Sequence, residues 1–265
     1  MIYKMSQSKT NYKEWSKWYD IIYNLISIND LDFYKSFMTP KTKDILEMGI
    51  GTGRVPLTCL QNKVNWIGVD DSQDMLNVCE SNIKTKQPLK GIITLIKEDM
   101  KKLDIRENNN TMNNKLHDLV IYPSYSLMNA GTENNQTEAL CIGSKHLKKD
   151  GLLIFDLHNP NLYKPAEKYS SVVKKILNKQ SYEIFSKSEV DYKKRIHKNY
   201  LKIKISDLSV ELFSIENFLY LEDVIRITDE IGLEIIDIFG DYHKNQYDEN
   251  SNEIIFICKK RKFYQ

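Results

Sequence analysis

Apolar and polar positions change their spacing three times along this chain. Between residues 12 and 38 they recur at helical intervals, with Trp15, Trp18, Tyr19, Ile22, Leu25 and Ile26 on one face, until Pro40 ends the run. A second rhythm follows. Lys43–Met48, Val64–Val69, Ile92–Ile96, Asp118–Ile121 and Gly151–Phe155 are short apolar runs that predict strands. The stretches near 53–62, 72–84 and 133–147 predict the helices between them. Strands alternating with helices imply parallel βαβ units and an α/β, Rossmann-like, doubly wound sheet. After Pro160 the spacing shortens again, as in Tyr200-Leu-Lys-Ile-Lys-Ile205, which predicts antiparallel strands with one wet face. Helical spacing returns from Phe218 to Ile231 with Gly232 as its C-cap, and 233–240 and 253–258 predict two last strands. The organisation expected is a core of residues 1–159 and 216–265 interrupted by an inserted antiparallel β arm at 160–215, with Asn108–Asn114 as a polar loop.

Composition narrows the class. The 265 residues are 41% hydrophobic and 28% charged, ordinary for a globular protein, and can bury one large core. With 38 basic and 36 acidic side chains the net charge is only +2, so no global field draws nucleic acid or a membrane. The charge is uneven: residues 160–215 hold 12 Lys/Arg and 6 Asp/Glu, densest at Lys193-Lys194-Arg195. Such an arm is either a solvated lysine-rich face or an attractor of anionic substrates. Cys59, Cys79, Cys141 and Cys258 form no C-x-x-C pair and sit in apolar segments, as reduced buried thiols do. No apolar run approaches a membrane span, and Met1–Ser6 lacks a secretory core, so a cytoplasmic protein without a metal centre is expected.

The chemistry concentrates at strand ends. Glu47-Met-Gly49-Ile-Gly51-Thr-Gly53-Arg54 follows a strand and opens a helix. Its glycines allow a tight turn and close approach of a ligand to the main chain. The spacing is G-x-G-x-G with an acid before it, and Arg54 stands where a nicotinamide-cofactor motif has its third glycine. Asp70 ends the second strand, where a carboxylate can accept both hydroxyls of a ribose, and Asp99-Met100 closes the third.

Taken with "GVDDSQDML" at 68–76, "KEDM" at 97–100 and "HLKKDGLLIFDLHNP" at 146–160, these motifs resemble class I S-adenosylmethionine (SAM)-dependent methyltransferases over residues 12–160. The resemblance implies SAM as cofactor and a seven-stranded sheet whose last strand is antiparallel. It places Glu47, Gly49, Gly51 and Gly53 beside the methionine part, Asp70 on the ribose with Asp71 and Met75 near it, and Asp99 with Met100 on the adenine. Tyr12 and Tyr19 resemble N-terminal tyrosines that cap the cofactor carboxylate in related small-molecule enzymes, a role open to Arg54 as well.

The acceptor is read from the end of the fourth strand, Tyr122-Pro-Ser-Tyr125. In enzymes that methylate bases the comparable turn resembles Asp/Asn/Ser-Pro-Pro-aromatic, and only Pro123 and Tyr125 fit. A closer resemblance is to small-molecule N-methyltransferases of the nucleotide-amino-sugar and glycine N-methyltransferase type. It implies a small-molecule amine acceptor, with Tyr122 beside the cofactor, Asn129 orienting the amine and Tyr122 or His158 as proton acceptor. In that reading neither nucleic acid nor a membrane is a partner, and the arm covers the acceptor pocket or builds a homodimer. The competing expectations are an RNA or DNA base methyltransferase and a SAM-binding protein without catalysis.

Overall fold

A computed structural model describes residues 9–26, 28–104 and 116–261, so the Asn108–Asn114 loop and the N-terminal six residues lie outside it. The core strands are β1 (Asp44–Met48), β2 (Asn65–Asp70), β3 (Ile92–Lys97), β4 (His117–Tyr122), β5 (Leu147–His158), β10 (Leu233–Phe239) and β11 (Glu253–Lys260). They form one sheet in the order β10-β11-β5-β4-β1-β2-β3. Strands β1 to β5 pair in parallel, and β11 lies antiparallel to both β5 and β10.

Both faces of this sheet are covered, so its central strands are apolar without alternation: every residue of β1 is buried. Pleat parity then decides which layer each side chain joins. Ile45, Leu119, Ile121 and Ile154 pack with α2 (Asp30–Ser36) and α3 (Arg54–Cys59). Leu46, Val120, Leu153 and Phe155 pack with α5 (Glu133–Lys145) and α6 (Leu221–Glu230). The helix α4 (Gln73–Thr85) is capped by Ser72, whose hydroxyl accepts from the Met75 N–H.

The helical run at 12–38 is two helices, α1 (Tyr12–Ile26) and α2. Their apolar faces serve different partners, which one straight rod could not reach. Ile22 and Leu25 of α1 pack against the arm, among Ile184, Ile203 and Leu212, and Phe33 and Tyr34 of α2 pack under the main sheet. The arm is a four-stranded antiparallel sheet in the order β6 (Ala166–Leu177), β7 (Gln180–Asp191), β8 (Ile196–Ile205), β9 (Leu208–Asn217). Trp15 ties α1 to it by donating its indole N–H to the Phe213 carbonyl at 2.7 Å.

Candidate active site

The glycine turn is built by its neighbours. Gly49, Gly51 and Gly53 have φ of 79°, 56° and 81°, values that favour glycine. The N–H groups of Gly49 and Ile50 both donate to the Val69 carbonyl, at 2.7 and 3.0 Å, which folds the turn over the end of β2. A Cβ on Gly49 would sit 2.7 Å from the Cβ of Ser126, whereas one on Gly51 would meet nothing within 4 Å. Asp70 locks the turn from the other side: its two carboxylate oxygens accept from the N–H of Gly51 at 2.8 Å and of Ser72 at 2.9 Å. Each oxygen keeps a further lone pair for a diol.

In front of the turn lies an open cleft, about 750 Å³ with the open solvent in its mouth counted. Gly49 and Gly51 form its floor, with Asp70 and Asp71 at the end of β2, Met75 in the first turn of α4, and Asp99 and Met100 just past β3. Tyr12 and Tyr19 of α1 form the opposite wall, and Ser124, Ser126 and Asn129 close the end beyond β4. The helix α1 is held there by Asp20, which accepts from the Thr52 hydroxyl at 2.6 Å and the Asn82 amide at 3.0 Å. Acidic side chains dominate: Asp70, Asp71, Glu98 and Asp99 face the cleft with Lys101, itself 3.2 Å from Asp99. That field favours a cationic ligand.

Five residues expected at the site stand elsewhere. Tyr122 shares the parity of Val120, so its ring enters the layer under α5, is fully buried, and donates its hydroxyl to the Ala139 carbonyl at 2.5 Å. It neither walls the cleft nor has a free hydroxyl to take a proton. Glu47 shares the parity of Ile45 and accepts from the Trp66 indole at 2.8 Å on the opposite layer. Gly53 turns the chain into α3 against Cys79. Arg54 is committed to a bidentate pair with Asp30, at 2.8 and 2.5 Å, and donates to the Ser124 hydroxyl at 2.6 Å. Its guanidinium lies over the Tyr23 ring at 4.4 Å, so it props the wall from behind. His158 is stacked on Tyr125, with ring centroids 3.5 Å apart, outside the cleft lining.

One residue that sequence reasoning missed organises the acceptor end. Asp156, fully buried in β5, accepts from the N–H of Ser124 at 3.0 Å and of Tyr125 at 2.8 Å, and from the hydroxyls of Tyr34 at 3.0 Å and Tyr242 at 2.5 Å. Ser124 and Tyr125 both have positive φ, 56° and 61°, a costly pair for residues with a Cβ. The carboxylate holds them there. Ser124 therefore faces the cleft while the Tyr125 ring is turned back onto His158. A lone acid inside Leu-Leu-Ile-Phe-Asp-Leu was the available signal.

Comparison with known proteins gives the arrangement its class. Residues 45–151 match the family model described as a methyltransferase domain. The match takes in about two fifths of the chain, and those residues lie in a sheet of the Rossmann-like methyltransferase fold. A Bacillus subtilis (strain 168) protein named as a methyltransferase, YqeM, is 24% identical over 158 residues, which is 60% of this chain and 53% of that protein. The match thus spans about half of that relative's length. Among solved structures, the CcbJ methyltransferase from Streptomyces caelestis superposes with a TM-score of 0.78 at 18% identity, covering 96% of this chain and 99% of that one. A SAM-bound amino pentose methyltransferase from Micromonospora echinaspora gives 0.70 at 14% identity, covering 91% and 96%. These likenesses are of fold, and they extend over most of the chain, well beyond residues 45–151.

The residues present fit SAM. Its sulfonium and ammonium suit the acidic cleft, its ribose the free lone pairs of Asp70, and its chain the open face at Gly51. Burial pushes the Asp70 carboxyl up to about 6, against the pull of its bonds from Ser72 and Gly51. Only the ionised form accepts from both ribose hydroxyls. Affinity for S-adenosylhomocysteine, measured by calorimetry, is therefore expected to fall as pH drops through about 6. Asp70→Asn should weaken binding roughly ten-fold or more and remove that step. An unchanged affinity would separate Asp70 from the ribose.

Proposed function

We propose that this protein transfers the methyl group of SAM to an amine of a small molecule, such as an amino sugar. Bound SAM supplies an electrophilic methyl on a sulfonium, and the nucleophile needs alignment with it rather than activation by a triad. Tyr12, Tyr19, the glycine turn, Asp70, Asp71, Met75, Asp99 and Met100 hold the cofactor in this reading. Ser124 and Asn129 stand at the acceptor end. The carrying observation is the turn after β4. Its aromatic ring, Tyr125, is 8% exposed and packed on His158, so the turn offers the cleft hydroxyls and an amide in place of a platform for a flipped base.

The arm's charge supports the same choice. Arg195, in its densest basic stretch, is bound to Glu133 at 2.8 Å and Asp223 at 2.7 Å. Lys194, Lys198 and Lys202 face Asp191, Glu189 and Glu211. A strand of nucleic acid would compete with these partners for the same cations. The amino pentose methyltransferase of like fold adds a parallel for the acceptor class. In this reading the arm, over 160–215, covers the acceptor end.

The test is transfer of radiolabel from methyl-labelled SAM to a panel of amino sugars and small amines, with RNA and DNA alongside. Label in the amines is expected. Label in nucleic acid alone, or tight cofactor binding with transfer to nothing, would overturn the reading.

A further inference from the structure

Beyond Tyr12 and Ser124 lies a cluster that the cofactor does not use. His158 at the end of β5 faces Glu253 at the start of β11, with Nδ1 and Oε2 3.7 Å apart. His197 of β8 faces Glu216 of β9 across 3.6 Å. Tyr163 stacks on His197 at 4.2 Å, and Tyr125 on His158 at 3.5 Å. Both carboxylate–imidazole distances lie within ion-pair reach and beyond a hydrogen bond. Three buried polar atoms of this cluster have no hydrogen-bond partner among the described residues: Glu253 Oε2, Tyr163 Oη and His197 Nδ1. A group left so costs about 1–3 kcal/mol, which a fold bears where a ligand completes it.

The cluster abuts the cofactor cleft. Tyr125 follows Ser124 in the pinned turn, and the Tyr12 phenol on the cleft wall is raised by burial first and then by the charges of Asp70, Asp71 and Glu216. Burial would lower His158, but Glu253, Glu216 and Asp156 outweigh it and raise the imidazole. Glu216, which burial would raise, is held down by His197 and His158. His158 thus offsets part of the charge of both Glu253 and Glu216.

We propose that Glu216, Glu253, Tyr163 and His197 form the acceptor subsite and select a substrate amine in its cationic, protonated form. This rests on the methyl-transfer reading above. An ammonium carries three N–H donors and no acceptor, and the three unpartnered atoms can all accept in the His197 tautomer that leaves Nδ1 bare. It also brings positive charge to the two carboxylates, and one of its protons passes to a carboxylate of the cluster or to unprotonated His158 before the nitrogen lone pair can attack the methyl. The groups facing His158 are Glu253, Glu216, Asp156, Tyr125 and Tyr163, so its protonated form competes with the ligand and the subsite strengthens as pH rises.

The test needs no turnover and no native substrate. With the full chain saturated in S-adenosylhomocysteine, calorimetry compares cyclohexylamine, which keeps its proton through pH 8, with cyclohexanol, its uncharged analogue. Cyclohexylammonium is expected to bind about ten-fold more tightly or better, and more tightly at pH 8 than at pH 6. Glu216→Gln and Glu253→Gln should each shrink that preference while homocysteine-cofactor affinity stays unchanged. Equal binding of the two probes by the unaltered protein, or binding of neither, overturns the subsite. Failure of methyl transfer in the labelling assay overturns the enzymatic reading instead, and the two results are independent.

Discussion

Replacing Asp156 with alanine should cost about 4–6 kcal/mol of stability and most of the methyl transfer. Burial pushes this carboxyl up to about 6, while the bonds from Tyr242 and Tyr125 pull it back, so it is largely ionised at neutral pH. Its removal strands two buried backbone N–H groups and two phenols, at about 1–3 kcal/mol for each donor that water cannot reach. It also releases Ser124 and Tyr125 from left-handed backbone, where each residue stores about 1–3 kcal/mol of strain. Relaxation of that strain offsets part of the loss and moves the Ser124 hydroxyl off the cleft. Asp156→Asn is the informative companion. It keeps the shape but presents an amide N–H to one of its four donors, so it should lose less stability than alanine and still disturb the turn. Urea unfolding and the methyl-labelling assay read the two effects separately. Alanine within about 1 kcal/mol of the parent would mean the turn is held by something else.

The contrast between what the sequence discloses and what it hides is physical. Alternating strands and helices, the glycine turn, Asp70 and the Asp99-Met100 pair were legible because backbone geometry forces them: positive φ needs glycine, and open sheets bind at carboxyl ends. Tyr122 was misplaced because adjacency to a strand end does not give direction. Its pleat parity with Val120, visible once Leu119 and Ile121 are assigned to the other layer, sends it under α5. Arg54 was misread because its partner, Asp30, lies 24 residues away in a helix that the periodicity ran together with α1. Asp156 was hidden for a similar reason: its four donors come from three separate segments. The histidine–glutamate cluster joins β5, β8, β9 and β11, a juxtaposition that exists only after the arm has folded back.

Glu47 turns the remaining misplacement into a measurable effect. Burial raises its carboxyl up to about 8, against the lowering pull of the Trp66 N–H and the Arg54 charge, whereas in the unfolded chain it titrates in the ordinary glutamate range. Between those limits the unfolded state has released its proton and the native state still holds one. Stability contributed by this group is therefore complete at acid pH and is lost as pH rises from the glutamate range to about 8. At about 1.4 kcal/mol per pH unit the loss approaches 4–5 kcal/mol across the window. Glutamine at this position keeps an acceptor for the Trp66 indole and cannot ionise, so Glu47→Gln should match the parent near pH 4 and exceed it progressively to pH 8. The difference between the two proteins' unfolding free energies, measured at several pH values, isolates the group because every other titration cancels. Parallel curves would mean that Glu47 is ionised in the folded state. A cofactor-contacting acid would then again be the better description of this residue, and its neutral packing against Trp66 the wrong one.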